Sequence, residues 1–95
     1  MSKMDKELEI LSDVILAIKD KDECKSVLLD LCTNAEIKEM SRRVIAAKML
    51  YSGEPYLSVT TATGLSTTTI SRVSRALKQG SGYAFVIPRV TKSDE

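Results

Sequence analysis

The sequence predicts a small all-α domain built around a helix-turn-helix. Three observations predict it. Apolar residues recur at helical spacing through most of the chain, as at Met4, Leu8, Leu11, Val14, Ile15 and Ile18. Glycines stand where one helix must stop and another start, at Gly53, Gly64 and Gly80. The stretch Tyr56 to Val73, YLSVTTATGLSTTTISRV, sets two short helices on either side of a glycine turn.

The first helix is expected over Met4 to Lys19, with a polar face opposite its apolar one. The charged run from Lys19 to Glu23 interrupts that pattern. Asp22 is then placed to cap a second helix covering Cys24 to Cys32. Its VLLDLC run is apolar over much of the circumference and predicts deep burial. Thr33-Asn34-Ala35-Glu36 fits a capping box, in which the Thr hydroxyl meets a first-turn amide and the Glu reaches back. The third helix runs to about Tyr51 with a stripe of Ile37, Met40, Val44, Ala47 and Tyr51. Gly53 ends it, and Pro55 can start the next.

In the motif, Val59 is the apolar anchor of the first helix. Gly64 makes the sharp turn, Leu65 plugs it, and Ser66 caps the second helix. Ile70 and Val73 lie three apart on one face, expected to pack on Val59. Thr60 stands where such units normally have alanine. The second helix is expected from Thr67 to about Gln79, stopped by Gly80-Ser81-Gly82. The remaining tail, YAFVIPRV from Tyr83 to Val90, reads as extended and non-helical. Its content is β-branched and aromatic, and Pro88 opposes a long helix. It is either a strip on its own core or a contact between subunits.

The whole chain is one domain: N-terminal helices over about 4–51, the helix-turn-helix over about 55–79, and the tail from 80. With 95 residues a chain buries a limited core, and association would enlarge it. No apolar run reaches the ~20 residues of a membrane span, and the N-terminus has no signal-peptide pattern. A cytoplasmic protein without membrane partners is expected. Cys24 and Cys32, eight apart on one helix, would lie ~12 Å apart along it, too far for a disulfide. Without histidine, two thiols make no zinc site, so no metal or cofactor is expected. The Ser and Thr residues have no paired base, which argues against an enzyme.

The net charge of +1 conceals an asymmetry. Residues 1–54 carry nine basic and eleven acidic side chains. Residues 55–93 carry five basic ones, Arg72, Arg75, Lys78, Arg89 and Lys92, and no acid. Hydroxyls and guanidinium groups on an acid-free second helix suit phosphates and base edges, so the reading is a double-stranded DNA-binding regulator. The alternative is a helix-turn-helix scaffold for protein–protein interaction.

These residues resemble the Trp-repressor superfamily, most closely its YerC/YecD branch, over Leu31 to about Tyr83. The segments that carry the likeness are TNAEIKEMSRRV, SGE, TGLSTTTISRVSRAL and GSGY. The resemblance implies a small all-α transcriptional regulator of the repressor class that forms a homodimer by interlocking its N-terminal helices. By position, Thr67 and Thr68 match residues that approach base edges. Thr69 and Ser71 match hydroxyls near phosphates, and Tyr56 and Thr60 match DNA-facing positions of the first motif helix. With Ser66, Arg72, Arg75 and Lys78 they make the expected DNA-binding set. Thr33, Arg43 and Arg72 match residues of the corepressor pocket, including the two arginines that sandwich an indole. Val73 stands where that pocket has glycine, and Ala76 where it has serine. These departures argue against tryptophan and leave any small effector unknown.

Overall fold

The computed structural model describes residues 3–93, and among them six helices and no strand. They are α1 (Lys3–Ala17), α2 (Lys21–Leu31), α3 (Asn34–Tyr51), α4 (Tyr56–Thr63), α5 (Thr67–Gln79) and α6 (Tyr83–Ser93). The chain divides into two compact units, one running to Ile37 and the other starting at Lys38.

In the first unit, α1 ends at Ala17, two residues before the expected limit. The cap of α2 is Asp20, not Asp22. Its Oδ1 accepts from the Glu23 amide at 2.9 Å, and the Glu23 carboxylate accepts from the Lys19 amide at 3.0 Å. The charged run therefore separates α1 from α2 and supplies a reciprocal capping box for α2. The capping box expected at Thr33 is present: the Glu36 amide donates to Thr33 Oγ1 at 3.1 Å, and the Thr33 amide donates to Glu36 Oε1 at 2.8 Å. The deep burial expected of α2 is not found within the single chain. Neither α1 nor α2 buries a residue, and Leu16 and Leu29 are 83% and 66% exposed. Apolar periodicity specifies a face that needs covering, not the chain that covers it. Cys24 and Cys32 are half-buried free thiols.

The Thr33 amide and hydroxyl hold the Glu36 carboxyl below its ordinary range, against a small opposing effect of desolvation. A folded-state pKa below the unfolded value stabilises above the unfolded pKa, about 4.3 for Glu. That contribution disappears as pH falls through the folded value. Glu36→Gln should therefore lose less thermal stability than the parent between about pH 5 and 3. Melting curves by circular dichroism across that window read this, and parallel curves would contradict it.

The second unit holds the core, in two clusters that meet on α3. Ala46 packs with Val59, Leu65 and Ile70, and Ala47 packs with Val73 and Ile87. Leu50 touches both clusters. The packed face of α3 thus matches the expected stripe only in part: Ala47 is fully buried as expected, but Val44 and Tyr51 are exposed and Ala46, outside the stripe, is fully buried. From Val44 to Tyr51 the helix is apolar almost all round, so periodicity does not select a face. Two adjacent alanines do, because short side chains let neighbouring helices approach. Val73 also differs from expectation. Ile70 packs on Val59, but Val73 turns to Ala47 and Ile87.

The C-terminal segment is a helix, α6, and not the expected extended tail. Its apolar residues Tyr83, Ala84 and Ile87 fall at helical spacing, and Ile87 is 2% exposed against Val73 and Ala47. Burial of that face outweighs β-propensity, which follows packing context. Pro88 sits inside the helix and removes one amide donor, a local cost that the docking offsets. Gly82 begins the helix, its carbonyl accepting from the Phe85 and Val86 amides at 3.0 and 3.2 Å.

Candidate nucleic-acid interface

The turn between α4 and α5 fixes everything the surface presents. Gly64 has φ 72°, left-handed, and its amide donates to the Thr60 carbonyl at 2.8 Å. A Cβ at that φ is strained, so glycine suits the position. Leu65 follows and is buried, as the sequence predicts. Thr63 adds a lock that sequence reading missed. Its hydroxyl donates to the Val59 carbonyl at 2.7 Å and accepts from the Leu65 amide at 3.2 Å. One buried side chain thus ties the last turn of α4 to the plug, and the signal was a threonine two residues before Leu65. Thr61 likewise returns its hydroxyl to the Leu57 carbonyl at 2.9 Å. These internal bonds satisfy the hydroxyls of a threonine-rich helix.

Ser66 caps α5, accepting from the Thr69 amide at 3.1 Å and donating to Thr69 Oγ1 at 3.1 Å. Its hydroxyl is therefore engaged within the chain. Thr67 and Thr68 are exposed in the first turn of α5, where amides lacking carbonyl partners and the helix dipole favour anions. No acid lies in that turn. Arg72, Arg75 and Lys78 are exposed further along α5. Tyr56, Ser71, Arg75 and Lys78 line one open cavity of about 370 Å³ with Ser74 and Gln79. The fold thus brings together α4 and α5 members of the expected set. Thr60 is half-buried on α4.

Of the expected effector residues, Arg43, Arg72 and Val73 come together. Arg43, Arg72 and Val73 line a second cavity of about 200 Å³ with Glu39, Thr69 and Tyr83. Ala76 is not among its lining residues, and Thr33, in the first unit, caps α3. Sequence reading missed Glu39 and Tyr83. Glu39 could have been found from its position four residues before Arg43 on one helix, while Tyr83 needed the helical path of α6. Val73 is 3% exposed, held in the core by Ala47 and Ile87. Among the described residues no group of His, Cys, Asp or Glu could hold a metal ion, and no helix is long and apolar enough to cross a membrane.

A glycine-locked helix pair with a basic, acid-free second helix defines a helix-turn-helix protein of the DNA-binding regulator class. The chain belongs to the Trp repressor protein family, whose pattern matches residues 6–90. It is 42% identical over 90 residues to the protein YerC of Bacillus subtilis, covering 94% of this chain and 86% of YerC. A crystal structure of a TrpR-like protein from Eubacterium eligens is 43% identical and superposes with a TM-score of 0.78, over 90% of this chain and 89% of that one. A second crystal structure, from Staphylococcus aureus, is 36% identical with a TM-score of 0.79 and 95% of both chains covered.

Proposed function

We propose that the protein is a sequence-specific, double-stranded DNA-binding repressor that acts as a homodimer and does not depend on tryptophan. One observation carries the reading: α5 presents exposed Thr67 and Thr68 at its N-terminal end and exposed Arg72, Arg75 and Lys78 beyond, on a locked turn and without an acid. The threonines read base edges, where a methyl and a hydroxyl meet a thymine methyl or a hydrogen-bonding edge. The cations and the Tyr56 and Ser71 hydroxyls hold phosphates and set the register. Association of two chains is supported by α1 and α2, whose apolar residues, Leu8, Ile15, Leu16 and Leu29 among them, have no cover within one chain.

Selection of bound sequences from a random DNA pool tests this reading. A palindrome with half-sites about one helical turn apart, ~34 Å, is expected. Failure to enrich any sequence at low salt would instead favour a protein-binding scaffold.

Independence from tryptophan is supported by Val73. It is stiff about χ1, and core contacts to Ala47 and Ile87 hold it beside Arg43 and Arg72. Calorimetry with millimolar tryptophan should register no binding. A gain in DNA affinity of about tenfold, ~1.4 kcal/mol, on adding tryptophan would reverse this part of the reading.

A further inference from the structure

We propose that the protein carries a ligand groove formed by the end of α3 with α5 and α6, which takes an apolar molecule with one anionic end and releases DNA when filled. Two cavities of about 370 Å³ share Ser74 and Lys78 as walls. One is lined otherwise by Leu50, Leu77, Ala84 and Pro88, with Tyr51 as its other wall residue. The other opens onto Arg75. Each volume falls within the roughly 300–1,000 Å³ of small-molecule sites, and an apolar wall with a few polar groups is the composition such sites have.

The polar groups are placed where a ligand would meet them. Ser74 is over nine-tenths buried and lines both cavities. Pro88 lacks an amide hydrogen, so the Ala84 carbonyl has no donor four residues on. Lys78 stands where the apolar and basic cavities meet. No carboxylate lines either one, which selects an anionic head over a cationic one. The release of DNA rests on the preceding reading, because the ligand's anion occupies Arg75 and Lys78, the same charges proposed to meet phosphates.

The probe is decanoate, kept below its micellar range, with decylamine as the opposite charge. Calorimetry on the full chain without DNA should give saturable decanoate binding, more than about tenfold tighter than decylamine. Lys78→Gln should weaken it about fivefold, the loss of one exposed ion pair. Ala84→Leu fills the apolar half, so it should abolish decanoate binding while leaving DNA affinity unchanged. Decanoate should then lower the DNA affinity of the parent, read by fluorescence anisotropy, but not that of Ala84→Leu. The groove is refuted by an absence of saturable binding, by equal binding of decylamine, or by full binding to Ala84→Leu. It is also refuted if decanoate binding weakens as protein concentration rises, since a second copy then covers the groove. Binding with unaltered DNA affinity refutes the release of DNA. Decanoate binding in a protein that binds no DNA at any salt refutes the DNA-binding reading and leaves the groove standing.

Discussion

Replacing Ile70 by alanine is expected to destabilise the fold by about 2–5 kcal/mol, the range for truncating a buried Ile. Ile70 is fully buried between Ala46, Val59 and Leu65, so its loss leaves a cavity under the turn that orients α5. The described core is small, with Val59, Ile70 and Ile87 its largest fully buried side chains. Domains of this kind are stable by only ~5–15 kcal/mol, so one such cavity removes a large share. The midpoint of urea unfolding measures it. Arg75→Ala provides the contrast, because an exposed site away from the core should change stability by about 0.5 kcal/mol or less. Equal midpoints for Ile70→Ala and the parent would mean that the α4–α5 contact does not hold the motif together.

Raising salt from about 50 to 200 mM should lower DNA affinity about a thousandfold. The estimate follows from Arg72, Arg75 and Lys78 on each of two proposed subunits, about six phosphate contacts, each releasing condensed counterion. Arg75→Ala should weaken binding to all sequences alike and flatten the salt dependence. Thr68→Ala should do the reverse: the slope stays, and preference at one base pair shifts by roughly 1–3 kcal/mol. Anisotropy titrations on selected and random DNA separate the two outcomes. A Thr68→Ala loss of equal size on both DNAs would remove threonine from base reading and leave it a phosphate contact.

The motif was legible residue by residue because local chemistry dictates it. Gly64 accepts a positive φ, Ser66 has the short hydroxyl that a helix start needs, and Thr33 with Glu36 closes a box over four residues. None of these depends on a distant partner. The candidate surface on α5 was legible for the same reason, since exposure there follows once Ile70 faces inward. The cap of α2 was misplaced by two residues because Asp20 and Asp22 are both competent caps, and the Lys19–Glu23 bond favours the first.

Non-local contacts account for what the sequence left open. The segment from Tyr83 has strand-like composition and an internal proline, and it is helical because Ile87 docks against Val73 and Ala47. The same docking turned Val73 away from Val59, brought Tyr83 to the cavity of Arg43 and Arg72, and built the apolar wall of Ala84 and Pro88. Along α3, sequence periodicity left several faces equally apolar, and the small volume of Ala46 and Ala47 chose between them. Caps, turns and charge sign are properties of a few neighbouring residues, so they can be read along the chain. Which apolar face is covered, and by what, depends on shape and volume matched between helices far apart in sequence, and no single stretch of the chain contains that information.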